Sequence, residues 1–113
     1  MNINKRCGYA CLLTALGLLV SSIAFQAAVP VDDGETLFKK NCVMCHGADG
    51  KGFPALKTPD FTSAKWQASM KDKQIQVVIE NGKKGTAMPA FKDKLNAEEI
   101  SALVTYIRSL KKK

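Results

Sequence analysis

A chain of 113 residues with one histidine and a formal charge of +7 has room for one small domain. Its lysines are spread along the sequence without interleaved aromatics, apart from the run Lys111-Lys112-Lys113; that is the pattern of a solvated surface and argues against a nucleic-acid partner. Two of the four cysteines, Cys7 and Cys11, fall in an uncharged stretch from Cys7 to Phe25, so the disulfide framework usual in small exported domains is absent.

Lys5 and Arg6 followed by that stretch have the form of an export signal. Ser22-Ile23-Ala24 offers small residues at the two positions a signal peptidase reads, so residues 1–24 are expected to be a cleaved signal peptide and 25–113 a periplasmic domain. The run is also near the lower limit of ~17–20 residues for a membrane span, which leaves an uncleaved N-terminal anchor as the alternative. Without Lys5 and Arg6 the exported part has fifteen basic and ten acidic residues, a formal +5. Its length of roughly 85 residues is near the size at which one hydrophobic core is marginal unless a staple is added.

Asp33 can cap a helix running from Gly34 to about Asn41, with Glu35 placed to suit the dipole and Leu37 and Phe38 on the apolar side. This helix delivers the chain into Cys42-Val43-Met44-Cys45-His46, the C-x-x-C-H signature of covalent c-type haem attachment. Two thiols three residues apart fall on one face of a helical turn, where each can form a thioether to a haem vinyl group, and His46 can face the iron. A structural zinc site wants four Cys or His ligands, and beyond residue 30 only Cys42, Cys45 and His46 are present. A thioredoxin-type pair wants a βαβ context, and no alternating apolar strand leads into Cys42. A local disulfide leaves His46 without a task.

Residues 47–68, with Gly47, Gly50, Gly52, Pro54 and Pro59, show neither helical nor strand period and are expected to form a loop, one long enough to need a ligand to wrap. Ser69 or Asp72 can start a second helix carrying Ile75, Val78 and Ile79, with Gly82 as its left-handed stop. In the following segment Pro89 restricts Met88 to an extended conformation, which presents its thioether from a loop. Met44 lies inside the attachment turn and Met70 at the entrance to the middle helix, so Met88 is the expected second axial ligand. The alternative for Met88 is an apolar gap filler. The last helix has Asn96 as N-cap, Glu99 completing a capping box, and an apolar stripe of Ile100, Leu103, Val104, Ile107 and Leu110. The expected fold is therefore all-α: a small, loop-rich domain of three or more short helices around one covalently bound haem.

The attachment motif with its trailing Gly47-Ala48-Asp49-Gly50-Lys51-Gly52, then Thr58-Pro59-Asp60-Phe61 with Trp66, then Asn81-Gly82-Lys83 leading to Met88-Pro89-Ala90-Phe91, resembles class I cytochromes c, the small single-haem electron carriers. The resemblance covers about residues 33–111. It implies Cys42 and Cys45 as thioether anchors, His46 as proximal and Met88 as distal iron ligand, and Trp66 as a partner of a haem propionate or, equally, a core residue. It also implies a close crossing of Gly34 and Phe38 with the terminal helix near Leu103 and Tyr106, and a carbonyl of Pro59 or Pro54 that fixes the His46 ring.

His/Met ligation fills both axial positions, favours ferrous iron and points to a non-enzymatic single-electron carrier working between periplasmic or membrane redox partners. Lys39, Lys40, Lys83, Lys84, Lys92 and Lys94 flank the segments expected to frame the haem edge, as a rim for acidic docking surfaces or as a solubilising surface. A monomer is expected. Two alternatives stay open: a haem subunit held by its N-terminal segment to a membrane oxidoreductase complex, and a gas sensor or peroxidase-like protein. The last lacks distal acid–base residues, since Arg108 is the one arginine outside the leader.

Overall fold

In the computed structural model residues 32–112 are described; the expected signal peptide or anchor, with Cys7 and Cys11, lies outside them. The chain enters its first helix at Asp33, whose Oδ1 accepts the Thr36 N–H at 2.8 Å, and α1 runs Gly34–Asn41. A one-turn helix α2, Val43–His46, follows directly, with the Cys42 carbonyl accepting the His46 N–H at 2.9 Å. The other helices are α3 (Ala64–Ser69), α4 (Asp72–Asn81) and α5 (Ala97–Ser109). The described residues are helices and loops, in accord with the all-α expectation.

The connector after α2 is more structured than its composition suggested. Pro54–Leu56 form a 3-10 turn, and Ser63 caps α3 by accepting the Trp66 N–H. Six residues are too few to display a helical period, so Gln67 and Trp66 turn inward without an amphipathic pattern to announce them. Ser69 closes α3, its hydroxyl donating to the Trp66 carbonyl at 2.8 Å. Lys71 is the residue before α4, its N–H taken by the Gln74 side chain at 2.8 Å. Gly82 ends α4 with a positive φ of 71° but an extended ψ of −175°, so it turns the chain outward rather than closing a left-handed cap.

Helices this short depend on tertiary packing. α5 is the centre of it: α1 crosses α5, and α4 packs along it. Ile100, Leu103, Val104 and Ile107 are buried on α5, with Leu37 and Phe38 from α1 and Ile75 and Ile79 from α4 against them. The capping box forms as expected, with Asn96 Oδ1 accepting from Glu99 N at 2.9 Å and Glu99 Oε2 accepting from Asn96 N at 2.8 Å. At the crossing, Gly34 touches α5: a Cβ there would overlap the Ala102 carbonyl and meet Tyr106 Cβ at 2.8 Å. Phe38 packs its ring on Tyr106 at 5.3 Å.

Gly34→Ala should therefore part α1 from α5 and destabilise the domain by about 1–3 kcal/mol, the usual cost of overpacking. Denaturant unfolding measures it, and a variant within ~0.5 kcal/mol of wild type would show that the crossing relaxes freely.

Candidate haem site

Side chains from every described helix converge on one apolar cavity. Phe38 comes from α1, with Leu103 and Ile107 from α5. Ile75, Val78 and Ile79 form the α4 wall. Phe91 and Leu95 follow it, tied back to α4 by the Phe91 N–H on the Ile79 carbonyl at 3.0 Å.

Into this hollow the attachment turn brings Cys42 and His46. Cys45 is exposed and Cys42 half-buried, both as free thiols. Burial, and secondarily the neighbouring Cys45, pushes the Cys42 thiol up to about 11, so it stays uncharged at neutral pH. Burial also lowers the His46 pKa below its ordinary 6.5, which keeps the imidazole neutral and its lone pair available. Nδ1 of His46 is buried and has no hydrogen-bond partner; its ring instead stacks on Phe61, centroids 4.7 Å apart and planes at 20°. Pro59 lines the cavity with His46, whereas Pro54 sits in the exposed 3-10 turn. Neither carbonyl accepts a bond from the ring among the described residues.

Met88 also lines the cavity, while Met44 is 88% exposed and Met70 packs on the core outside the cavity lining. The loop carrying Met88 is stapled. Lys83 N donates to the Met88 carbonyl at 3.3 Å, Met88 N donates to Thr86 Oγ1 at 3.3 Å, and that hydroxyl donates to the Lys83 carbonyl at 2.7 Å. Gly82 lies against this staple, since a Cβ there would come within 2.6 Å of the Met88 carbonyl. Trp66 lines the cavity and packs at 4.7 Å on Phe61.

The donor set suits a c-type haem. The Cys42 thiol, an imidazole with an unpartnered ring nitrogen and the Met88 thioether line an apolar space, with the exposed Cys45 thiol on the same turn, and among the described residues no three His, Cys, Asp or Glu side chains gather for a bare metal ion. Of the lysines, Lys83 lines the cavity and Lys39 pairs with Glu35 at 2.6 Å. Arg108 is turned away, onto Asp72, Gln67 and the Met70 carbonyl. Sequence reasoning gave no role to Phe61, although it lies in the Thr58-Pro59-Asp60-Phe61 motif. The partners of Gln67 and Arg108, some forty residues apart, left no local trace.

Residues 29–107 match the family described as cytochrome C oxidase, cbb3-type, subunit III. The chain belongs to this family. It is 35% identical over 77 residues to the Cbb3-type cytochrome c oxidase subunit FixP of Bradyrhizobium sp. (strain ORS 278), covering 68% of this chain and 26% of that protein. A second relative, Cytochrome c6, chloroplastic, of Chlamydomonas reinhardtii, is 33% identical over 100 residues, covering 87% of this chain and 66% of the other. Among solved structures, the KustC0563 c-type cytochrome superposes with a TM-score of 0.67 at 38% identity, over 72% of this chain and all of that one. The fold is that of the class I cytochromes c, and the chain spans about a quarter of the length of its FixP relatives.

Gly82→Ala should strain a positive φ and push the Met88 carbonyl aside, costing at least about 1 kcal/mol. Thermal unfolding of the purified protein reads the loss, and an unchanged midpoint would mean that the Met88 staple yields without cost.

Proposed function

We propose that this protein is a single-electron carrier of the periplasm, holding one haem c through Cys42 and Cys45 with His46 and Met88 as the axial donors. The observation that carries the proposal is the convergence of Cys42, His46 and Met88 on a single apolar cavity. When bound, the haem supplies a one-electron ferric/ferrous couple. His46, kept neutral by burial, would offer its lone pair to the iron. Met88, a soft thioether on a stapled loop, would serve as the second donor and favour the ferrous state. Phe38, Ile75, Ile79, Leu103 and Ile107 exclude water from the cofactor and keep its dielectric low, while Trp66 offers an indole N–H to a propionate. Held by both His46 and Met88, the iron would be shielded from O2 and peroxide, and electron transfer is assigned to it.

A second reading keeps this chemistry and changes the setting: a haem subunit of a membrane oxidoreductase, held by the N-terminal segment. The FixP and CcoP relatives, named as cbb3-type oxidase subunits, favour it. Among the described residues no helix is long and apolar enough to cross a membrane. The partners are redox proteins; Lys40, Lys83, Lys84, Lys92 and Lys94, all exposed, suit acidic docking surfaces.

Met88→Ala should leave the haem attached, lower the reduction potential and let carbon monoxide bind the reduced protein at neutral pH. Redox titration with absorption spectroscopy tests this, and an unchanged potential rejects Met88. Electron exchange with an acidic redox partner should slow as ionic strength rises; a flat salt profile removes the lysine rim. Mass spectrometry of the mature N-terminus separates the free carrier from the anchored subunit.

A further inference from the structure

The cavity is lined by apolar side chains and by the groups already assigned to tether or iron, Cys42, His46 and Met88, with two exceptions. Trp66 brings an indole, and Lys83 brings a full charge. No Asp or Glu lines the cavity, and burial keeps His46 neutral. Lys83 is therefore the one charged side chain on this wall among the described residues. It is also exposed to solvent, which puts it where the cavity opens. Among the described residues it pairs with no carboxylate, whereas Lys39 is paired with Glu35 and Lys51 with Asp49.

The backbone at Lys83 is fixed. Its N–H donates to the Met88 carbonyl at 3.3 Å, and its own carbonyl accepts from Thr86 N at 3.1 Å and from Thr86 Oγ1 at 2.7 Å. Gly82 ahead of it is pressed against the Met88 carbonyl, where a Cβ would come within 2.6 Å. The cation is thus carried on a stem whose root is held to the Met88 loop. Lys84, next in the chain, is exposed as well but does not line the cavity.

A haem carries two propionate groups, and an ionised carboxylate is costly to bury in an apolar space without a partner. The porphyrin suits the interior of the cavity, whereas its acidic edge needs the opening, with water or a cation beside it. An ammonium on a pinned backbone, with no carboxylate of its own, meets that need. We propose that Lys83 is the counter-ion of a haem propionate, so that its charge serves the cofactor while Lys40, Lys84, Lys92 and Lys94 remain for docking. The inference rests on the haem reading proposed above and adds a further residue that holds the group. A positive charge beside the porphyrin opposes the charge gained on oxidation, so Lys83 also raises the reduction potential.

The test uses the full haem-loaded protein at one fixed pH, with two readouts: the reduction potential by redox titration, and the propionate-bending band in the resonance Raman spectrum. Lys83→Gln removes the charge and keeps a polar side chain, and Lys83→Arg keeps the charge. Lys73→Gln controls for net charge, at an exposed α4 lysine outside the cavity wall whose Nζ lies 3.4 Å from Gln76 Oε1. Lys83→Gln is expected to lower the potential by more than Lys73→Gln does and to move the propionate band. Lys83→Arg is expected to restore the wild-type potential. Equal potential shifts in the two Gln variants overturn the proposal and return Lys83 to the docking surface. A wild-type propionate band in Lys83→Gln overturns it whatever the potential does, which keeps the test decisive if the substitution also disturbs Met88. A wild-type protein that matures without colour overturns the haem reading itself, and does so before any variant is compared.

Discussion

All five described helices contribute side chains to one shared apolar cavity, and the rest of the described molecule is arranged around it. Protein interiors pack to crystal-like density, so an apolar cavity at the centre of a domain of this size is suited to an apolar group. A covalently held porphyrin is a body of the right shape and polarity to complete it. Folding and cofactor retention are then the same problem, because Phe38, Leu103 and Ile107 serve the helix crossing and the cavity at once.

Two backbone approaches make this geometry possible, and both depend on the absence of a Cβ. Gly34 lets α1 lie against the Ala102 carbonyl, which brings the attachment turn over α5. Gly82 lets the end of α4 lie against the Met88 carbonyl, which returns the Met88 loop to the cavity. The two glycines stand at opposite ends of the arrangement: one places His46, the other Met88. Between them the Gln67–Arg108 network ties α3, the start of α4 and α5 together, so that the two walls of the cavity share a common frame.

The family relationship sets a scale for this domain. Its relatives among oxidase subunits are several times longer, yet a solved c-type cytochrome is matched over its whole length. The same small module is thus matched within longer chains and across the whole of a solved one. In the proposed reading its chemistry is contained in the attachment turn, the Met88 loop and the apolar walls, whereas the choice of partner belongs to the surface and to the segments around it.

How much was legible in the sequence follows from how local each feature is. The attachment turn, the Asp33 and Asn96 caps, the α5 stripe and the Pro89-restricted Met88 are written within a few residues of one another, where spacing and backbone restriction act directly. α3 was not legible, because a single six-residue helix capped by Ser63 has no period to read. Nor was the choice between Pro54 and Pro59 beside His46, the stacking of Phe61 on the imidazole, or the use of Arg108 as a brace. The sequence by itself determined the chemistry, since the identity and spacing of Cys42, Cys45, His46 and Met88 admit few cofactors. Only the tertiary structure decided the orientation of that chemistry, because contacts such as Arg108 with Gln67 join residues distant in sequence and depend on where the helices cross.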